Sequence, residues 1–191
     1  MWNRFKFFLV FIFYVVTSCN HLESVCCNNY TILKPHEFAF EEADPAIREY
    51  LIDFAIESND IYQTRTANVD VAREVFDISD SVFKNGVVEI LKLQGEIVGF
   101  YTLKVHPPTE GLFEHELGHL FVKAGLQGKG FGTLLFNRAV EVARSKGWKK
   151  LQWLSDPDAE IFYLKMDATI TDRCENLLNP TVDLPIFEYQ L

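Results

Sequence analysis

A chain of 191 residues, 48% of them hydrophobic, carries enough apolar side chain for one ordinary core, so a single domain is expected. Its net charge of −9 argues against a nucleic-acid binder, because affinity for a phosphate backbone rests on clustered Lys and Arg. The charge is uneven: Pro107 to Pro157 holds seven Lys/Arg against five Asp/Glu, which leaves −11 on the remainder, so an anionic ligand is expected to favour the middle third.

In chain order, Arg4 and Lys6 precede an apolar run from Phe7 to Val16, short for a bilayer span and of the length of a signal-peptide core. Val16-Thr17-Ser18-Cys19 resembles a permissive bacterial lipobox, in which the cysteine is lipidated after cleavage. On that reading residues 1–28 direct export of a lipoprotein anchored through Cys19. The alternative is a start assigned upstream of the true one; since the methionines are Met1 and Met166, a later start would use a non-AUG codon. Cys19, Cys26, Cys27 and Cys174 show no C-x-x-C spacing, and the adjacent Cys26 and Cys27 suit neither one zinc nor a disulfide framework.

Residues 29–191 contain no repeat, low-complexity tract or long linker and read as one domain. Tyr30 to Lys34 predicts a first strand. Asp44 followed by Pro45 reads as an N-cap with proline at the first helical position, opening a helix to about Ser58, and a second helix is expected over Val69 to Phe76. Val87–Leu93 and Ile97–Val105, separated by Gln94-Gly95-Glu96, predict an antiparallel hairpin that Pro107-Pro108 ends. From Gly130 the spacing becomes helical, with Phe131, Leu134, Leu135, Ala139, Val142 and Ala143 on one face and Gly147 as the stop. Lys149–Leu154 predicts a strand, Pro157–Met166 a short helix, and two strands follow, the last over Leu184–Leu191. The expected class is mixed α/β, a largely antiparallel sheet flanked by helices.

Two motifs in this order point to different chemistries. His115, Glu116 and His119 spell H-E-x-x-H, which binds zinc when a helix brings both imidazoles to one face and the Glu polarises a bound water. Phe113, Leu117, Leu120, Phe121 and Ala124 fall at helical intervals and permit such a helix. A third ligand is harder to find: the metzincin positions hold Val122 and Gly125, and Glu141 is the acidic candidate further on. The other reading is a strand carrying exposed or hydrogen-bonded imidazoles. The second motif, Gln127 to Gly132, is neither a Walker loop, since Gly130 follows Lys129, nor a Rossmann fingerprint, since its glycines run G-x-G-x-G. It offers consecutive backbone N–H groups entering a helix N-terminus, which suits a pyrophosphate, or serves as a plain strand-to-helix turn.

Gln127-x-x-Gly130-x-Gly132, between Leu120-Phe121-Val122 and an apolar helix, resembles the acetyl-CoA motif of the Gcn5-related N-acetyltransferases (GNAT superfamily). Ser155 to Met166, containing Phe162-Tyr163-x-Lys165, is similar to that family's second segment, and Leu184–Leu191 to its last strand, so the likeness runs from about Tyr30 to the C-terminus. It implies a GNAT fold in which Glu116–Val122 is the fourth strand, and acetyl-CoA as co-substrate with no metal. The pantetheine arm would lie along Leu120, Phe121 and Val122. The pyrophosphate would lie on the amides of Gln127, Gly128, Lys129, Gly130, Gly132 and Thr133, with the Lys129 cation nearby. Tyr163 would protonate the departing thiolate, and Glu116 or His119 would act as base toward an amine. Simple alternation puts those two on opposite faces unless a bulge intervenes. Two positions depart from the pattern: Asp167 stands where the family helix ends in Gly, and an Asn near Asp158 is absent.

The resemblance therefore implies direct acetyl transfer to a primary amine of a small molecule or protein. Acidic residues such as Glu37, Glu41, Glu42 and Asp44 would steer a cationic amine or form a solvated surface. The alternatives are a zinc hydrolase and a non-catalytic, exported acyl-CoA-binding domain. A cytoplasmic monomer or homodimer is expected, with no nucleic-acid partner and membrane association only if the N-terminal segment works as a signal or anchor.

Overall fold

Gln94 and Gly95 both have positive φ, 51° and 87°, the two-residue turn whose twist matches its flanking strands. They join β2 (Val87–Leu93) to β3 (Glu96–Val105) as the sequence predicts. The computed structural model describes residues 38–59, 69–107, 113–175 and 182–191, and the strand expected at Tyr30–Lys34 lies outside them. β1 (Phe38–Glu42) pairs antiparallel with β2. Then come a 3₁₀ turn (Pro45–Ile47), α1 (Arg48–Ser58), α2 (Val69–Val75) and α3 (Asp80–Asn85). Asp44 caps the turn, its Oδ1 accepting from Ala46 N at 2.8 Å.

After the hairpin follow β4 (His115–Val122), α4 (Phe131–Ser145), β5 (Lys150–Leu154), a second 3₁₀ turn (Pro157–Ala159), α5 (Glu160–Lys165), β6 (Thr169–Glu175) and β7 (Asp183–Gln190). The seven strands form one sheet in the order β1-β2-β3-β4-β5-β7-β6, antiparallel except between β4 and β5. This is the mixed α/β architecture expected.

Alternation divides the core into two layers. Leu91, Tyr101, Leu103 and Leu117 face α4 and α5, joining Leu135, Phe136, Ala139 and Ala143 of α4 with Trp153, Tyr163 and Phe187. Val88, Ile90 and Phe100 face Leu51, Phe54 and Ala55 of α1 and Ile78 and Val82 beside and within α3. The buried stripe of α4 includes Phe136 and Val140, while Leu134 and Val142 are partly buried, a small rotation from the face read off the spacing. Gly99 lets α4 approach: a Cβ there would lie 2.7 Å from Leu135 Cδ1 and 2.8 Å from Phe121 O.

One polar network fastens α4 to the sheet. Arg138 donates to both Glu89 oxygens at 2.8 Å, and Tyr101 Oη donates to Glu89 Oε2 at 2.6 Å. Burial would raise the Glu89 pKa, but these hydrogen bonds outweigh it and hold the carboxyl below its ordinary value. Ion pairs from Arg48 to Asp80 and from Arg73 to Glu49 and Asp53 tie α1 to α3 and α2, in exposed settings where such pairs contribute little.

Candidate active site

The divergence of β4 from β5 shapes the site. Their parallel register pairs Glu116 with Gln152, and beyond that point no further β4–β5 pair is formed among the described residues. β4 continues through Leu120, Phe121 and Val122 with one edge bonded to β3. The other edge is left available for main-chain hydrogen bonds.

Where β4 ends, the glycine turn begins. Gln127 braces it: its Nε2 donates to Val122 O at 3.2 Å and its Oε1 accepts from Gly125 N at 2.8 Å. Gly128 and Gly130 have φ of 75° and 91°, conformations that suit glycine, and a Cβ on either would meet nothing within 4 Å. Gly130 is the N-cap of α4 and supplies no side chain to its first turn, so the helix's leading N–H groups, through Gly132 and Thr133, lack a side-chain cap. Gly132 has a packing role besides: its Cβ would crowd Phe162 Cε2 at 3.3 Å. Open space over two glycines of positive φ and an uncapped helix of 15 residues suits a phosphate group.

The middle of β4 holds a bulge. Thr102 pairs with His119 and Leu103 with Leu117, so Gly118 is the unpaired extra residue. A Cβ there would sit 2.8 Å from Lys104 Cδ and 2.9 Å from Thr102 Oγ1. The inserted residue shifts the alternation. Leu117 and Leu120 now both face α4, while Glu116, paired with Lys104, shares the opposite face with His119 and Phe121. The two candidate bases are thus brought to one side.

The same shift separates the two histidines of H-E-x-x-H. His115 pairs with Val105 and stacks on Trp148 at 4.3 Å between ring centroids, on the α4 side. His119 lies on the other side, its Nδ1 2.8 Å from Thr102 Oγ1 and its ring packed against those of Phe100 at 6.1 Å and Phe121 at 6.2 Å, which also touch each other. The segment is a strand, and its imidazoles face opposite ways, so the zinc-hydrolase alternative is overturned on geometry. Glu141, the remaining ligand candidate, sits on α4 beside Arg138 at 3.7 Å. Among the described residues no group of three or more His, Cys, Asp or Glu is placed to hold a metal.

Burial drives the His119 pKa down to about 3, with the Lys104 charge adding to the effect, so the imidazole is neutral at physiological pH. Glu116 is in a wetter setting: Oε2 lies 2.6 Å from His106 Nε2 and Oε1 3.5 Å from Lys104 Nζ. Lys104 and His106 are neighbours that the sequence reading missed. No local pattern marks them, because they meet Glu116 only through the register of β3 on β4.

Tyr163 lies on the other side of the sheet, on α5, 7% exposed and packed against Trp153 and Phe162 at 4.9 Å and Phe187 at 5.3 Å. Burial raises its pKa, which keeps the phenol protonated. Trp153 Nε1 in the same cluster is buried without a hydrogen-bond partner among the described residues. Asp167, after α5, has φ of 63°, so it adopts the left-handed cap conformation that glycine would favour.

Solved structures share this fold. A PaiA N-acetyltransferase from Thermoplasma acidophilum in complex with coenzyme A matches with TM-score 0.62 and 17% identity, over 81% of this chain and 99% of its own. A Gcn5-related N-acetyltransferase from Rhodopseudomonas palustris matches at 0.60 and 20%, over 80% and 95%. The yncA protein of Salmonella typhimurium, solved with its cofactor acetyl-CoA, matches at 0.58 and 19%, over 81% and 94%. No curated protein matches the chain in sequence. The model of the acetyltransferase (GNAT) family matches residues 47–167, more than half of the sequence and the span that contains β4, the glycine turn and α5. The chain therefore belongs to the GNAT family and is an acyl-CoA-dependent acetyltransferase.

Proposed function

We propose that residues 29–191 form a transferase domain that moves an acetyl group from acetyl-CoA to a primary amine within a ternary complex. The observation that carries this reading is the strand edge freed where β4 leaves β5, which runs into the uncapped N-terminus of α4 over Gly128 and Gly130. An extended pantetheine arm can add to the edge at Leu120, Phe121 and Val122, as a further strand would. A pyrophosphate can approach the amides of Gln127, Gly128, Lys129, Gly130, Gly132 and Thr133, with the Lys129 ammonium adding attraction. Coenzyme A and acetyl-CoA in two structures of the same fold support this.

Glu116 is the stronger candidate for the base. Its carboxylate is partly solvated and can take the proton that the acceptor ammonium must lose before its nitrogen attacks the thioester. His119, with a pKa of about 3, is a weak proton acceptor, and its neutral imidazole serves better as a hydrogen-bonding wall of the site. As the C–S bond breaks, Tyr163 can donate its phenolic proton to the thiolate; the burial that raises the phenol's pKa also raises that of a thiol in the same dry setting, which keeps the transfer balanced. An acetyl-CoA donor favours a cytoplasmic enzyme over one exported through Cys19, because export would separate it from that metabolite. Among the described residues no helix is long and apolar enough to cross a membrane.

Calorimetric titration of acetyl-CoA into the full chain tests the reading. Saturable binding is expected, lost in Gly130→Glu, which puts a side chain and a negative charge where the phosphate would lie. Binding that survives this substitution unchanged would remove the glycine turn from the site.

A further inference from the structure

His106 follows the last residue of β3, and its backbone N–H donates to Glu114 O at 3.0 Å, which extends the β3–β4 ladder by one rung and fixes the residue against β4. Its Nε2 then lies 2.6 Å from Glu116 Oε2. The two carboxylate oxygens are unequally engaged, since Oε1 has Lys104 Nζ at 3.5 Å, a looser contact. A carboxylate side chain has freedom about its χ angles, and a base that must meet an incoming ammonium loses rate when that freedom is not restrained. His106 is 28% exposed and Glu116 21%, so the pair is reachable from solvent while still partly shielded.

We infer that His106 is a positioning residue for acetyl transfer. It donates Nε2–H to Glu116 Oε2, fixes the carboxylate's orientation, and leaves Oε1 to receive the acceptor's proton. One N–H bond of the acceptor ammonium breaks and an O–H bond forms on Oε1; the freed nitrogen pair forms a C–N bond to the thioester carbon, the C–S bond breaks, and coenzyme A leaves as the thiol with the Tyr163 proton. The second proton lost by the amide nitrogen restores the phenol by way of water, and the proton on Oε1 leaves for water after turnover. The inference rests on Glu116 being the base, as proposed above.

The test combines kinetics and spectroscopy on the full chain, with 1,4-diaminobutane and an Nα-blocked lysine amide as probe acceptors. His106→Ala is expected to lower kcat about tenfold, the scale of a misplaced catalytic group, with KM for acetyl-CoA unchanged. His106→Gln, whose amide can donate to the same oxygen, should recover most of that rate. Glu116→Gln should lose more, and adding His106→Ala to it should cost nothing further, because the two residues act as one unit. Nitrogen-15 NMR of the imidazole should show the Nε2–H tautomer in the native chain and a mixture in Glu116→Gln. A native kcat in His106→Ala, an undiminished loss on the Glu116→Gln background, or a tautomer indifferent to Glu116 each overturns the inference. A native kcat in Glu116→Gln would instead sink the assignment of the base itself. Should neither amine be turned over, the tautomer measurement alone decides.

Discussion

The two faces of the sheet use the same backbone for opposite purposes. The face under α4 and α5 is a dense aromatic layer in which Phe136 meets Trp153, Tyr163 and Tyr189 at 5.3–6.0 Å, and its ion pair, Glu89 with Arg138, is bidentate and stapled by Tyr101. The face under α1 and α3 is apolar near Phe54 and Phe100 but becomes ionisable along β3 and β4, at Lys104, His106, Glu116 and His119. One inserted residue, Gly118, decides which β4 side chains belong to which face. Position on a sheet is therefore a stronger determinant of role here than residue type: His115 and His119 differ by four places and by an entire environment.

If the ionisable face carries the proton chemistry, Glu116→Gln should give the largest effect, a loss of about 10²–10³ in kcat, the scale of general base catalysis, with acetyl-CoA affinity retained. Tyr163→Phe probes the aromatic face. It should lower kcat by about 10–10² through loss of the proton donor, with melting temperature nearly unchanged because the hydroxyl makes no hydrogen bond among the described residues. Equal losses in both variants would mean that acid and base share the burden across the sheet; an inert Tyr163→Phe would confine the chemistry to the β3–β4 face.

Stability should divide along the same line. Arg138→Leu leaves the half-buried Glu89 carboxylate without its cation and with the Tyr101 hydrogen bond alone from this network, and chemical denaturation should report a loss of about 2–3 kcal/mol, below the value for a fully buried pair because Arg138 is 35% exposed. On the other face His119 sets an acid dependence. Its folded pKa, about 3, is below the unfolded value of 6.5, so its contribution is complete above pH 6.5 and is lost as pH falls toward 3. The slope in that window is about 1.4 kcal/mol per pH unit. His119→Asn, which can still bond Thr102, should flatten the slope, as melting curves between pH 7 and 5 would record.

Much of this arrangement was legible in the sequence, and the remainder has physical reasons for being hidden. The Gln94-Gly95 turn, the Asp44-Pro45 helix start and the turn from Gln127 to Gly132 are local, set by φ preferences and caps, and they stand where the residues put them. β1 and α3 were not foreseen, since five residues at a sheet edge and six in under two turns hold too little periodicity to read. The helical spacing around H-E-x-x-H was misleading because a bulged strand, buried on both faces, scatters its apolar residues at intervals of three and four. The splay of β4 from β5 and the pairing of His106 with Glu116 belong to two strands at once, and neither strand encodes them alone.

Asp167 offers the smallest effect and the sharpest contrast between the two kinds of information. The family resemblance expects glycine there, and the chain satisfies the same backbone demand, φ of 63°, with a residue that tolerates it at some cost. Asp167→Gly removes about 1 kcal/mol of left-handed strain but gives the unfolded chain more freedom, a loss of about 0.5–1 kcal/mol, so a net gain of a few tenths is expected. A rise of about 1 °C in melting temperature, with acetyl-CoA affinity and kcat unchanged, would show that the cap serves only to turn the chain from α5 into β6. A fall in kcat would instead mean that the conformation of Asp167 helps hold Tyr163, whose carbonyl accepts from Met166 N at 3.0 Å and Ala168 N at 3.1 Å on either side of it.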